Sequence, residues 1–192
     1  MKQKINYLLG EYLGVEIIKT RPKESIEFTR DYFKNQEVEV CEIGVFRGEN
    51  AREIHKNLNV KKFFLIDPYL EYKDYENDGS YKIVKEAKII AHKRLKKWEN
   101  KNFWINQFSD KAIYKIKNNS LDFIYIDGNH SYNYVLSDLR NYWDKLKIGG
   151  ILAGHDIQYK EVSEALIDFI KDKDLKVQFG DRRDWWIIKN GK

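Results

Sequence analysis

The stretch Val38-Glu39-Val40-Cys41-Glu42-Ile43-Gly44-Val45-Phe46-Arg47-Gly48 constrains the fold more than any other part of the chain. β-Branched residues alternate with acidic ones as in a strand, Gly44-x-x-x-Gly48 breaks the run, and Glu49 to Leu58 reads as a helix. A strand, a glycine turn and a helix bring a strand's carboxyl end against a helix N-terminus, where open α/β sheets bind ligands. The G-x-G-x-x-G spacing of dinucleotide sites is absent, and Glu42 stands two residues before the first glycine. A carboxylate there repels a pyrophosphate but suits an amino group. The pattern favours a nucleoside carrying an amino acid over a dinucleotide.

A β/α alternation continues from this turn. Strands are expected at Val38–Ile43, Lys62–Asp67, Asn102–Gln107, Leu121–Asp127, Ile148–His155, Lys176–Gly180 and Trp185–Lys189. Helices are expected at Lys2–Gly14, Lys23–Lys34, Glu49–Leu58, Tyr81–Glu99, Asp110–Ile116, Ser131–Leu146 and Lys160–Lys171. In Ser131–Leu146, the residues Val135, Leu136, Leu139, Trp143 and Leu146 form a core stripe, with Ser131 placed to cap the start. Such alternation implies an α/β fold with a mostly parallel sheet of seven strands, covered by helices on both faces. Only Gly180-Asp181-Arg182-Arg183-Asp184 separates the last two strands, too little for a crossover, so they pair as an antiparallel hairpin.

The 192 residues, 42% hydrophobic and 34% charged, suit a single globular domain spanning 1–192. Its first 36 residues read as a helical cap on a core formed by 37–192. The net charge of +5 comes from scattered lysines, and the cluster Lys93-Arg94 with Lys96-Lys97 reads as a solvated helix face. The lone cysteine, Cys41, excludes an intrachain disulfide and reads as core. Glu11 and Glu16 interrupt the apolar stretch Ile5 to Ile18, arguing against a signal peptide or membrane span. A cytoplasmic location is expected.

Several polar residues fall at expected strand ends. Asp67, followed by Pro68 and Tyr69, ends the second strand where an acid can accept two ribose hydroxyls; alternatively it is a solvated turn residue. Tyr69 could cover an adenine face or pack its loop. Ser109 and Asp110 follow the third strand at the level of an adenine, and Ser109 also suits a helix N-cap. The fourth strand leads into Asp127-Gly128-Asn129-His130 and the fifth into Gly154-His155-Asp156. These strands are neighbours in an open sheet, so Asp127, His130, His155 and Asp156 should meet at one mouth. Such a set can bind a divalent metal, or an imidazole can serve as general base. Both uses stay open. His55 and His92 read as structural or surface residues.

With these residues in view, the chain resembles the class I S-adenosylmethionine-dependent methyltransferases, and within them the methyltransferase 24 family, related to the catechol O-methyltransferase group. The resemblance covers Val38 to Ile188. It rests on Glu42-Ile43-Gly44-Val45-Phe46-Arg47-Gly48, on Leu65-Ile66-Asp67, and on Tyr125-Ile126-Asp127-Gly128-Asn129-His130-Ser131-Tyr132 with Leu146-Lys147-Ile148-Gly149-Gly150 and Gly154-His155-Asp156. It implies a Rossmann-like fold and S-adenosyl-L-methionine as cofactor. Glu42, Gly44 and Gly48 would surround the methionine part, Asp67 with Pro68 and Tyr69 the ribose side, and Ser109 with Asp110 the adenine. Asp127 would lie near the sulfonium. In metal-dependent relatives Mg²⁺ is held at the position of Asp127 and by an acidic or amide pair at the end of the fifth strand. Here that pair is His155-Asp156, so the implied metal set is Asp127, His155 and Asp156, with Mg²⁺, Mn²⁺ or a similar ion, or no metal and a histidine base.

The expected reaction is methylation of a hydroxyl on a small molecule such as a sugar or secondary metabolite, with Asp127, His130 and His155 as catalytic candidates. The alternatives are an RNA or protein methyltransferase on the same fold and a catalytically silent nucleoside-binding protein. An NAD-dependent oxidoreductase is disfavoured by the glycine spacing, Glu42 and the hairpin. The expected partner is a small-molecule acceptor, with neither membrane nor nucleic acid, and a homodimer is allowed. The acceptor pocket is expected from the N-terminal helices and the aromatic, acidic loop Tyr69–Tyr81.

Overall fold

A computed structural model describes residues 22–70 and 80–191. The expected helix Lys2–Gly14 and nearly all of the loop Tyr69–Tyr81 lie outside the described residues. The elements in chain order are α1 (Glu24–Phe33), β1 (Val38–Ile43), α2 (Glu49–Asn57), β2 (Val60–Ile66), α3 (Ser80–Leu95), β3 (Asn102–Ile105), α4 (Ser109–Ala112), β4 (Leu121–Ile126), α5 (Tyr132–Trp143), β5 (Leu146–Gly154), α6 (Lys160–Ile170), β6 (Val177–Phe179) and β7 (Trp185–Ile188). The strands form one sheet in the order β3-β2-β1-β4-β5-β7-β6. The pairs from β3 through β5 are parallel, whereas β7 runs antiparallel to both β5 and β6. The hairpin read from the short Gly180–Asp184 connection is present.

Strand alternation divides the core between two faces. Val38, Val40, Phe63, Leu65, Phe123 and Tyr125 pack with Ile26, Ile54 and Leu95 on the side of α1, α2 and α3. Cys41, Ile43, Phe64, Ile66, Ile124 and Ile126 pack with Leu139, Leu166 and Phe169 on the side of α5 and α6. Cys41 is buried, as its place in an apolar strand implies. Among the described residues, no helix is long and apolar enough to cross a membrane.

Some boundaries differ from the sequence reading. The helix expected to reach Glu99 ends at Leu95 and tightens into a 3₁₀ segment, Lys96–Lys101, with Trp98 at non-helical angles. His55 stacks on Trp98 at 4.7 Å and 2° and donates from Nε2 to Asn102 Oδ1 at 2.7 Å, and burial lowers its pKa to about 4. Leu146 opens β5 instead of closing α5. Ser131 is the N-cap residue of α5 but makes no side-chain capping bond; instead its amide donates to Asn129 Oδ1 at 2.7 Å. Ser109 lies inside α4, whose N-cap is Phe108. The basic cluster is not uniformly solvated, because Arg94 reaches the Arg47 carbonyl and pairs with Glu49 at 2.6 Å.

Candidate active site

Strand order reverses between β1 and β4, and open α/β sheets place ligands in the crevice at such a point. Register brings the strand ends level. Ile43 lies beside both Ile66 and Ile126, and Gly154 beside Ile126. Hydrogen bonding continues past the strands: the Gly44 amide donates to Ile66 O (2.9 Å), the Asp127 amide to Ile43 O (2.8 Å) and the His155 amide to Ile126 O (3.1 Å). Gly44 has φ +87°, and a Cβ there would lie 2.0 Å from the Asp127 carbonyl oxygen. Only glycine lets these two backbones meet.

The glycine turn is clipped from the β2 side. Asp67 Oδ2 accepts the Phe46 amide and Oδ1 the Tyr69 amide, both at 2.8 Å, while the Tyr69 hydroxyl donates to the Phe46 carbonyl at 3.0 Å. Burial raises the Asp67 pKa and these amides partly offset it. Under the turn, Glu42 is fully buried; Asn50 Nδ2 donates to its Oε1 at 2.8 Å, while Oε2 has no partner. Burial pushes Glu42 up to about 8 against the Asn50 bond. An unpartnered buried acceptor is a costly feature that a cationic amino group would satisfy.

Two cavities open here. The larger, about 410 Å³, is lined by Lys23, Gly44, Asn50, Asp127, Gly128 and His130 among others. The smaller, about 50 Å³, is lined by Asp67, Pro68, Phe108, Ser109, Tyr134 and Asp138, and shares Gly44 and Gly128 with the first. Of the residues expected around a cofactor, Gly44, Asp67, Pro68, Ser109 and Asp127 line these spaces. Glu42 lies beneath them. Gly48 does not line them; with φ +73° and Leu95 Cδ1 3.2 Å from a notional Cβ, it serves the turn and the packing of α3. Tyr69 turns its hydroxyl onto the glycine loop, and Asp110 is exposed and paired with Lys111 at 3.2 Å.

Asp138 and Lys23 were missed by the sequence reading. Asp138 sits within a stripe of core residues, so periodicity assigned it no role. Lys23 precedes a helix start and carries no motif. Its Nζ stands 3.4 Å from Asp127 Oδ2 and 4.7 Å from the centre of the Tyr125 ring.

The four residues expected at one mouth do meet. Asp127, His130 and Asp156 each offer a ligand atom, all within 4.8 Å of one another. His130 Nε2 lies 2.9 Å from Asp156 Oδ2. His155 Nε2 donates to the Arg182 carbonyl at 3.0 Å, since a carbonyl can only accept. Its Nδ1 faces Asp156 Oδ1 at 3.2 Å, as a donor to that carboxylate, and Asp127 Oδ1 at 3.9 Å. Burial alone would raise the Asp156 pKa, but donation from Gln158 and the two imidazoles outweigh it and lower it. The compact three-residue set thus contains His130, where the resemblance implied His155. These carboxylate oxygens and imidazole nitrogens can accept a cation of mixed oxygen and nitrogen preference.

Comparison with other proteins fits this geometry. Residues 41–157 match the methyltransferase 24 family, a methyltransferase domain. The uncharacterized protein R132 of Acanthamoeba polyphaga mimivirus is 26% identical over 139 residues, covering 69% of this chain and 58% of that protein. The chain thus matches little more than half of that relative's length. Among solved structures, an rRNA methylase from Streptococcus thermophilus superposes with a TM-score of 0.65 at 14% identity, over 91% of this chain and 99% of that one. An S-adenosylmethionine-dependent O-methyltransferase from Thermotoga maritima gives 0.61 at 15% identity, over 96% and 72%. At such identities the superpositions speak for the fold alone. The family match spans the glycine turn, Asp67 and the Asp127 and His155-Asp156 strand ends, and so this chain belongs to the methyltransferase 24 family of class I S-adenosylmethionine-dependent methyltransferases.

Proposed function

We propose that this methyltransferase acts on a hydroxyl group of a small molecule. The observation that carries the reading is the convergence of Asp127, His130 and Asp156, the first two of which line the larger cavity beside the glycine turn. When bound, S-adenosylmethionine supplies a methyl group already activated by its sulfonium. The chain's own part is then to hold the partners in line and to make the acceptor nucleophilic. Glu42 Oε2 and Asn50 suit the amino end of the cofactor, and Asp67 its ribose. The Gly44–Asp127 backbone contact sets the floor on which the two reactants meet.

A hydroxyl needs help to lose its proton near neutral pH. His130 is our candidate general base: with Nε2–H donated to Asp156, its Nδ1 is left as the acceptor. His155 is committed to the Arg182 carbonyl and supports Asp127 and Asp156 from behind. Were a divalent ion held, Asp127, Asp156 and His130 would hold it, and it would lower the pKa of the acceptor hydroxyl. That donor set suits Mn²⁺ or another first-row ion better than Mg²⁺, which prefers oxygen throughout.

Tritium-labelled S-adenosylmethionine tests the reading against pooled phenols, sugars and hydroxy acids, with total RNA and protein in parallel reactions. Label in the small-molecule fraction, stable to base as an ether is, supports it. Label confined to RNA or protein would overturn it. Thermal shifts with Mn²⁺, Mg²⁺ and a chelator address the ion separately.

A further inference from the structure

Lys23 and Arg182 stand far apart in the chain, yet both line the larger cavity with Asp127 and His130. A buried bond ties their segments together. Asp184, which directly precedes β7, accepts the Ser25 amide in the first turn of α1 at 2.7 Å, and neither residue is exposed. Each cation adjoins the acid and histidine cluster. Lys23 Nζ lies 3.4 Å from Asp127 Oδ2, and the Arg182 main chain accepts His155 Nε2 at 3.0 Å. The other acids of the lining come from α2 and each already answers a cation: Glu49 pairs with Arg94 at 2.6 Å and Glu53 with Lys56 at 3.4 Å. Beside the cluster the lining thus sets one carboxylate, Asp127, next to two cations.

We propose that the methyl acceptor is anionic: Lys23 and Arg182 hold a carboxylate or phosphate group on it while its hydroxyl reaches His130. This rests on the hydroxyl-methylation reading of the site. The Lys23 side chain is only 20% exposed, so an acceptor seated beside Asp127 covers its ammonium further. A neutral acceptor would do so without answering the charge, at a desolvation cost. An anionic one replaces the displaced water with charge-assisted hydrogen bonds. An ammonium has three N–H donors and can keep Asp127 while taking a second anion. A guanidinium presents its donors as a fork that matches carboxylate and phosphate oxygens. The cavity, about 410 Å³, falls in the range of small-ligand sites. Anchoring the acceptor by its charge also fixes its hydroxyl at His130, where alignment with the methyl group is set.

Methyl-transfer kinetics on matched pairs test this: salicylate with salicylamide, lactate with lactamide, and glucose 6-phosphate with glucose. In at least one pair the charged member should be preferred by roughly 10- to 100-fold in kcat/KM, the worth of a charge-assisted contact. The first two pairs report a carboxylate, the third a phosphate. Arg182→Gln keeps the main-chain carbonyl that His155 uses, and Lys23→Met keeps a side chain of similar length. In each variant the preference should fall to within about 3-fold, because no charge is left to read. Both variants should bind S-adenosylhomocysteine as the wild type does in calorimetry. A loss there of about 10-fold or more would assign the cations to the cofactor's own carboxylate and overturn the proposal. Full preference retained in both variants also overturns it. If a variant does not fold, the wild-type ratios decide: neutral members turned over as well as charged ones, or no pair turned over at all, overturn the anionic acceptor while leaving hydroxyl methylation standing. Label confined to RNA or protein in parallel reactions would overturn both readings.

Discussion

Asn50 and Glu42 are joined by a 2.8 Å hydrogen bond that covers one carboxylate oxygen and leaves the other buried without a partner. Burial pushes this acid from 4.5 up to about 8, so the folded chain keeps a proton that the unfolded chain has released. The stability contributed is therefore complete below pH 4.5 and is lost as pH rises through about 8. Glu42→Gln keeps an oxygen for Asn50 and cannot ionise. Denaturant unfolding at pH 5 and pH 8 should show the wild type losing about 1–3 kcal/mol more than the variant across that interval. Calorimetry at pH 8.5, where the wild-type carboxyl is ionised, should show the variant binding S-adenosylhomocysteine about 10-fold more weakly, since the cofactor's ammonium then meets a neutral amide instead of a carboxylate.

Gly44 and Gly128 flank the same backbone contact but differ in tolerance. A Cβ at Gly44 would overlap the Asp127 carbonyl at 2.0 Å with φ at +87°, whereas one at Gly128 meets only the Ile43 methyl at 3.3 Å. Gly44→Ala should cost more than about 3 kcal/mol, and Gly128→Ala about 1 kcal/mol. Equal melting temperatures for the two variants would contradict the close approach.

The two histidines at the mouth should separate by what their loss affects. His130→Ala should lower kcat by roughly 10²- to 10⁴-fold with the melting temperature little changed, as for a lost general base. His155→Ala removes the bond to the Arg182 carbonyl and should destabilise the fold by about 1 kcal/mol, with a smaller fall in kcat. Kinetics beside thermal melts distinguish them, and the reverse pattern would exchange their roles.

Lys23 places an ammonium 3.4 Å from Asp127, on the carboxylate that a divalent ion would need. The two cations compete. Lys23→Met should tighten Mn²⁺ binding about 5- to 10-fold, the worth of one partly exposed ion pair, as read by electron paramagnetic resonance of free Mn²⁺. Unchanged affinity would mean the ion and the lysine do not share Asp127.

The legible parts of this chain were those where one local rule suffices. β1 was read to the residue because β-branched alternation and a glycine stop agree at Val38–Ile43. The hairpin followed from a connection too short to cross over. The meeting of Asp127, His130, His155 and Asp156 followed from strand adjacency alone. What strand adjacency could not supply was orientation: that His155 turns Nε2 to Arg182, and His130 to Asp156, depends on a loop and a hairpin far apart in sequence. The same holds for Tyr69, whose hydroxyl bond to the Phe46 carbonyl joins residues 23 positions apart. Asp138 was invisible because helical spacing counts an acid within a core stripe as noise.

The Gly44–Asp127 contact has a further implication for how such a protein can diversify. If the crevice holds methyl donor and acceptor as proposed, the two share a wall made of main chain at Gly44 and Gly128, and main chain is the part of a site that substitution alters least. Side chains at the outer rim could then be exchanged to admit a different acceptor while the line of methyl transfer stays where the backbone puts it. Acceptor choice and alignment are thereby separable traits, and new specificity can arise without relearning the geometry of the reaction.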